Sequence, residues 1–329
     1  MIHTRGLTRS FRAKGETVEA VRGLDLDIDA GSVVAFLGPN GAGKTTSLRM
    51  LTTLLPPSSG TAVVAGHDVV ADPAAVRHRI GYLGQGNSAG GNFRVVDELV
   101  TQGRAYGLGH AEFRARSELL LTALELEGMA KRTVGTLSGG QRRRLDIAMA
   151  LVHEPELLFL DEPTTGLDPH SRANIREHVL RLRKELGTTV VFTTHYLEEA
   201  DLWAERVMVV DHGRVIADGS PEQLKADLAG DRITVGTADR ADAERAVAVA
   251  RALPAVHEVA ADGTEVRVRT PHGDTRLPLL LRRLEAAGVR ALSARLARPT
   301  LDDVFLTLTG RTLREGSGVT VPTTTHDGA

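Results

Sequence analysis

An α/β fold built on a parallel sheet, followed by a smaller α+β domain, is what this sequence predicts, and three features predict it. An apolar run, Val33-Val34-Ala35-Phe36-Leu37, feeds the glycine-rich segment Gly38-Pro39-Asn40-Gly41-Ala42-Gly43-Lys44-Thr45-Thr46, and a helical pattern runs on from Thr45 to Leu55. Two further apolar runs, Leu157 to Leu160 and Thr189 to Thr193, enclose a helix from Ser171 to Leu186 that Gly187 ends. Continuous apolar strands belong to parallel sheets buried on both faces, and strand, helix, strand in that order is a βαβ unit. Past Ala229-Gly230 the order becomes βαββαβ, the split arrangement of a ferredoxin-like sheet.

Residues 1 to about 30 read as antiparallel strands, with Val18-Glu19-Ala20-Val21 and Leu24-Asp25-Leu26-Asp27-Ile28 alternating. Gly60 to Gly66 is a strand bounded by turn residues, and Ile80-Gly81-Tyr82-Leu83 leads to Gln85. Residues 95 to 150 are mostly helical, with Glu118 to Leu126 the clearest amphipathic segment. Arg206 to Ala217 folds as a hairpin turning at His212-Gly213, and Pro221 opens a short helix. In the second domain the strands are Ile233 to Val235, Val256 to Ala260, Glu265 to Arg269 and Val289 to Leu296. Helices run from Ala241 to Ala252 and from Leu277 to Ala287. The domain limits are therefore 1–229, with a helical part over about 86–150, and 230–310. Gly, Ser, Thr and Pro dominate 311–329, which reads as a disordered tail.

The bulk properties exclude several classes. A chain of 329 residues with 42% hydrophobic and 25% charged residues is an ordinary globular protein long enough for two domains. A formal net charge of −2 gives no basic field for nucleic acid, and 3% aromatic residues leave little for base stacking. Without cysteine there are no disulfides or thiolate metal sites, which fits a reducing cytoplasm. No apolar run is long enough to cross a bilayer, and Met1 to Gly6 lacks the apolar core of a signal peptide. Any membrane function needs a second chain to do the spanning.

Gly-x4-Gly-Lys-Thr between a strand and a helix aims successive backbone N–H groups at one point, where the helix N-terminus adds partial positive charge. Lys44 reaches the β- and γ-phosphates of a nucleoside triphosphate in that geometry, and the Thr45 hydroxyl is a Mg²⁺ ligand. Asp161 ends a buried strand and suits a hard cation that prefers oxygen. Glu162 follows at once and, by strand alternation, points the other way. Paired acids before Pro163 also read as a helix start. Arg142-Arg143-Arg144 beside Asp146 reads as a solvated, ion-paired helix face, with phosphate or lipid contact as the other reading.

Leu137-Ser138-Gly139-Gly140-Gln141, about twenty residues before Leu157-Leu158-Phe159-Leu160-Asp161-Glu162, strongly resembles the ATP-binding-cassette ATPases over roughly residues 1–225. The run 137–146 and the C-terminal stretch Pro299 to Gly310 are similar to the daunorubicin/doxorubicin-resistance ATP-binding subunits of drug exporters. The resemblance implies a phosphate-loop ATPase core with an antiparallel β subdomain and a helical subdomain. It also implies ATP and Mg²⁺ as cofactors, with Thr45, Gln85 and Asp161 at the metal. Glu162 becomes the general base, Gln85 a contact to Mg²⁺ and the attacking water, and His195 the switch that bonds γ-phosphate.

The same resemblance gives Ser138, Gly139, Gly140 and Gln141 to the ATP of a second copy, so that ATP-bound copies form a homodimer. Asp168 contacts that partner, or caps the helix before Pro169, or both. Phe11 stacks on adenine, with packing into the sheet as the alternative. The loop Gly84 to Asn92 holds more glycine than the family pattern, which bears on how rigidly Gln85 is held. The expected whole is the ATP-hydrolysing subunit of an exporter on the cytoplasmic face of the membrane, serving a separate permease. A non-transport cassette ATPase of translation or DNA repair usually carries two cassettes or a long coiled coil, and neither is seen here. Drug sequestration without turnover sits poorly with an intact Lys44, Asp161, Glu162 and His195, and a GTPase lacks the 137–141 run.

Overall fold

A computed structural model describes residues 1–13 and 16–310. Its contacts divide the chain into two compact units, Met1–Asp218 and Gly219–Ala329. In the first unit, β1 (Ile2–Ala13) pairs antiparallel with β2 (Glu16–Ile28). β3 (Val33–Leu37), buried at every residue, then leads into α1 (Lys44–Leu51). The helix stops short of the expected Leu55: Thr53 turns into the left-handed region at φ 63° and Pro56-Pro57 follow. β4 (Ser59–Val64) pairs with β1 and with β5 (His67–Asp68), which completes a four-stranded antiparallel sheet.

After α2 (Pro73–Arg79) comes β6 (Ile80–Leu83), and then the helical region of α3 (Val95–Ala105), α4 (His110–Ala123) and α5 (Gly139–Leu151). The amphipathic segment expected at Glu118 to Leu126 is the second half of α4, which ends where Glu125 takes φ 54°. The chain continues as β7 (Leu157–Asp161), α6 (Pro169–Leu186), β8 (Thr189–Thr194), α7 (Leu197–Trp203), β9 (Arg206–Asp211) and β10 (Arg214–Gly219). The large sheet has the order β10-β9-β3-β8-β7-β6. β6, β7, β8, β3 and β9 are parallel, as the continuous apolar runs require. Phe36, Phe159 and Phe192 are fully buried among these strands. Parallel register carries Leu37, Asp161 and Thr194 to the same C-terminal edge, where ligand sites of α/β sheets form.

The second unit begins earlier than the expected Ala229-Gly230. The helix α8 (Pro221–Leu224) and the turn Lys225–Ala229 pack with a C-terminal helix, α11 (Leu301–Thr309), and therefore go with it. Between them lie β11 (Asp231–Gly236), α9 (Arg240–Arg251), β12 (Glu258–Asp262), β13 (Glu265–Thr270), α10 (Gly273–Ala286) and β14 (Ser293–Ala297). The sheet order β12-β13-β11-β14, antiparallel throughout, is the ferredoxin-like arrangement. Ala243, Ala246 and Ala250 give α9 a small-residue face, which packs with Ile233, Val235, Val266, Val268, Leu280 and Leu284 in one core. α11 is a helix that no sequence expectation covers. Thr300 and Asp303 cap it reciprocally, and Leu301, Val304 and Phe305 form its buried face. The tail expected at 311–329 lies outside the described residues.

Candidate functional site

At two positions the glycine-rich loop leaves no room for a side chain. Gly43 has φ 102°, and a Cβ there would sit 2.4 Å from the Ala20 carbonyl oxygen. A Cβ on Gly38 would sit 2.1 Å from the carbonyl oxygen of Val210. The loop curls over Lys44, which is only 4% exposed and donates from Nζ to the Gly38 oxygen at 2.7 Å and the Pro39 oxygen at 2.9 Å. A cavity of about 550 Å³ opens against the loop, lined by Asn40 to Thr46 together with Ala20, Arg49, Gln85 and Glu162.

The carboxylates lie at the end of β7, against Lys44 and Thr45. Thr45 Oγ1 donates to Asp161 Oδ1 at 2.9 Å, and Gln85 Nε2 donates to Thr45 Oγ1 at 3.0 Å. Asp161 is fully buried, and its Oδ2 has no hydrogen-bond partner in the protein. Burial raises the Asp161 carboxyl pKa above the ordinary value, although the Thr193 and Thr45 hydroxyls pull it back. An unsatisfied buried carboxylate oxygen beside a hydroxyl and an amide is a donor set that fits a hard divalent cation keeping most of its shell as water and phosphate.

Strand alternation would send Glu162 away from this cavity, and that expectation is corrected. Glu162 takes φ 47°, a left-handed conformation that costs a non-glycine residue on the order of 1–3 kcal/mol. The turn brings its Oε1 to 3.7 Å from Lys44 Nζ and 3.4 Å from His195 Nδ1. At 3.4 Å the imidazole contact lacks good hydrogen-bond geometry, and Nδ1 has no other partner. The contact with His195 still holds the Glu162 carboxyl pKa below its usual value, against burial and with help from Lys44. Lys44 is itself pushed down, because its desolvation outweighs the attraction of both acids. No helix starts at Pro163; the next one begins at Pro169, so the alternative reading of the acid pair as a helix start does not hold.

The turn at Glu162 is held by two residues absent from the expected site, Thr193 and Glu199. Thr193 Oγ1 donates to Asp161 Oδ1 at 2.6 Å and accepts the Glu162 N–H at 2.9 Å. Glu199, 6% exposed, accepts from the Thr164 hydroxyl and, at 2.7 Å, from Thr194 Oγ1. An acidic residue on the buried side of a helix just past His195 was the available signal. Arg143 is also buried, at 7% exposure, which corrects the solvated face expected of 142–144. Arg142 reaches inward to the carbonyl of Val134, and Arg144 to that of Leu124, while Arg144 also makes the expected kind of ion pair, with Glu125 at 2.9 Å.

Other expected site residues lie elsewhere in the first unit and do not line the cavity. Ser138 and Gln141 form a reciprocal capping box at the start of α5, and Gly140 packs so closely on Ser171 that a Cβ would come 2.8 Å from its Oγ. Asp168 caps α6, accepting from Ser171 N at 3.0 Å and Ser171 Oγ at 2.6 Å; these bonds lower its pKa. Phe11 is 37% exposed on β1, with the Arg9 guanidinium 4.8 Å from its ring centre. The loop after β6 is firmly held despite its glycines. Asp146 Oδ1 accepts from Ser88 N and Ala89 N at 3.1 Å, and Glu98 Oε1 accepts from Gly90 N at 2.7 Å.

Known proteins resemble this chain in both units. Residues 21–165 match the ABC transporter family, and residues 219–309 match the C-terminal domain of DrrA1-3-like ATP-binding proteins. The chain is 47% identical to the daunorubicin resistance ATP-binding protein DrrA3 of Streptomyces coeruleorubidus, covering 89% of this chain and 92% of that one. It is 36% identical to the linearmycin resistance ATP-binding protein LnrL of Bacillus subtilis, over 90% and 95% of the two chains. Among solved structures, cbiO1 from Clostridium perfringens, part of the cbiONQ complex, superposes with a TM-score of 0.62 at 31% identity, over 69% of this chain and 90% of that one. The cassette MJ0796, solved as a dimer after hydrolysis with ADP and Pi, gives 0.61 at 27% identity, over 67% and 98%. The chain thus belongs to the ATP-binding subunits of ABC transporters, in the branch with a DrrA-type C-terminal domain, and is an ATPase.

Proposed function

We propose that this ATPase powers an exporter of a drug or hydrophobic metabolite, working at the cytoplasmic face of the membrane as a nucleotide-dependent homodimer bound to a separate permease. The observation that carries the reading is the convergence of Lys44, Thr45, Gln85, Asp161, Glu162 and His195 at the glycine-rich loop. The names of DrrA3 and LnrL, each a resistance protein for a small molecule, support export of such a compound. No helix among the described residues is long and apolar enough to span a bilayer, which is consistent with a permease on another chain.

In this reading the N–H groups of Gly38 to Thr46 cradle the phosphates of ATP, and Lys44 exchanges two carbonyl oxygens for the β- and γ-phosphates. Thr45, Asp161 and Gln85 hold Mg²⁺, which when bound neutralises developing charge on the phosphates. Glu162 orients the attacking water. As an ionised carboxylate it can accept the water's proton as well as orient it, which is the general-base role. His195 bonds the γ-phosphate and steadies Glu162. Ser138, Gly139, Gly140 and Gln141, at a helix N-terminus, complete the site of the second copy, and Asp168 supports that contact. Phe11 stacks on adenine through its exposed ring. The MJ0796 cassette, solved as a dimer, supports pairing of two copies.

A second cavity, of about 300 Å³, suits the permease contact. Leu54, Tyr82, Tyr106 and Met149 line it along with Ser88, which lies on the loop that carries Gln85. The test is Glu162→Gln purified with and without ATP. Hydrolysis should fall by roughly a hundredfold or more while ATP converts monomer to dimer, and a multi-spanning protein should co-purify from membranes. An unchanged hydrolysis rate would remove Glu162 from the mechanism. Recovery with ribosomes or nucleic acid, in place of a membrane protein, would remove the exporter.

A further inference from the structure

The guanidinium of Arg143 touches no carboxylate within hydrogen-bond distance; every hydrogen bond it makes is to a backbone carbonyl. Nε donates to Pro163 at 2.7 Å. One terminal nitrogen reaches Gly84 at 2.8 Å and Gly86 at 3.4 Å, and the other reaches Asp161 and Glu162 at 3.3 Å each. A single rigid fork thus grips the chain on both sides of Gln85 and the three carbonyls that surround the strained Glu162 turn. The fork grows from α5, five residues after Ser138, whose capping box fixes the N-terminus of that helix. Asp146, one turn further along α5, holds Ser88 and Ala89 of the same Gln85 loop.

Resting on the proposed dimer, in which the start of α5 serves the partner's ATP, we infer that Arg143 is the positioning residue that ties the two ATP sites together. The tie links α5 to Gln85 and Glu162 of its own site. When the Ser138 end of α5 engages the γ-phosphate of the second site, any shift of the helix moves the guanidinium. The guanidinium is planar and buried, so the Gln85 loop and the Glu162 turn move with it. Water at one site is then aligned only when the opposite site is filled. Lysine cannot replace this arrangement, because a point charge on a flexible stem does not span two separated sets of carbonyls.

The experiment compares Arg143→Lys and Arg143→Gln with the parent protein in three measurements: fluorescent-ATP affinity, steady-state hydrolysis per folded molecule, and the Hill coefficient for ATP. Affinity should stay within about twofold while kcat falls roughly tenfold or more and the Hill coefficient drops from about two toward one. A residue that merely staples the fold would lower the melting temperature and leave kcat per folded molecule and the Hill coefficient unchanged, which would overturn the inference. If Glu162→Gln fails to dimerise with ATP, the inter-site role falls with the dimer. The split between kcat and affinity in Arg143→Lys would then still decide whether Arg143 positions Gln85 and Glu162. Amide hydrogen exchange over 84–90 and 161–165 gives a readout free of activity. Both segments should exchange faster together in Arg143→Lys, and loosening of only one would overturn the shared grip.

Discussion

Thr193 holds Asp161: its hydroxyl donates to Oδ1 at 2.6 Å, and the same oxygen accepts the Glu162 N–H. One side chain on β8 therefore fixes both acids at the end of β7, Asp161 through its carboxylate and Glu162 through its backbone. Thr193→Val keeps the shape and removes both bonds. Hydrogen bonds to charged groups are worth about 1.5–3 kcal/mol, so hydrolysis should fall by roughly ten- to a hundredfold with ATP affinity little changed. Phosphate release under saturating ATP checks this, and a parental rate would show that Thr45 alone is enough to hold Asp161.

Glu199 joins Thr164, two residues beyond Glu162, to Thr194, beside His195. Glu199→Ala strands two buried hydroxyls and opens a cavity, for a stability loss on the order of 2–4 kcal/mol. Glu199→Gln still accepts one hydroxyl and can donate to the other, so it should lose less than half as much. Denaturant unfolding of the two variants tests the order, and equal losses would mean that the carboxylate's volume matters and its hydrogen bonds do not.

Two loop glycines should respond differently to alanine. Gly43→Ala meets both a strained φ and the Ala20 oxygen, whereas Gly41, at φ 79°, has open space around it. Gly41→Ala then carries only backbone strain of about 1–2 kcal/mol, and Gly43→Ala carries a clash as well. Nucleotide titration should show the larger loss at Gly43. The reverse order would mean that contact with phosphate, more than loop shape, decides which glycine is required.

His153 predicts an acid dependence of stability. Burial lowers its pKa from 6.5 to about 4, with Nε2 bonded to the Ile80 oxygen at 2.9 Å and the ring stacked 3.7 Å from Tyr106. The unfolded chain binds this proton more readily than the folded one. Its contribution is therefore fully present above about pH 6.5 and is lost progressively as pH falls toward 4, by up to about 3 kcal/mol. Urea midpoints across that range should fall, and His153→Gln should flatten the fall. An identical slope in the variant would assign the effect to other groups.

Residues near each other in sequence were the legible ones. Val33 to Thr46 and Leu157 to Glu162 are each a short strand with the turn that follows it, so chemistry and position could be read together. Helix ends differ from the expectation where a single left-handed φ decides them, as at Thr53 and Glu125. α11 is not legible as a helix, although its stretch carries the family resemblance, because nine residues with one apolar face and a cap formed by Thr300 and Asp303 are too short to stand out as periodicity.

By itself the sequence determined the parallel sheet, the phosphate loop and the order of strands in the second unit, because these follow from apolar periodicity and from local turn chemistry. Tertiary structure alone decided that Glu162 turns back toward Lys44, that Arg143 is buried, and that Thr193 and Glu199 brace the acids. The direction of Glu162 depends on a left-handed turn that no residue type demands and that is stabilised by bonds to Arg143 and Thr193, 19 and 31 residues away in the chain. An arginine in a basic run carries the same local signal whether it faces water or a ring of carbonyls. Only the packing of α5 against the ends of β6 and β7 resolves which it does.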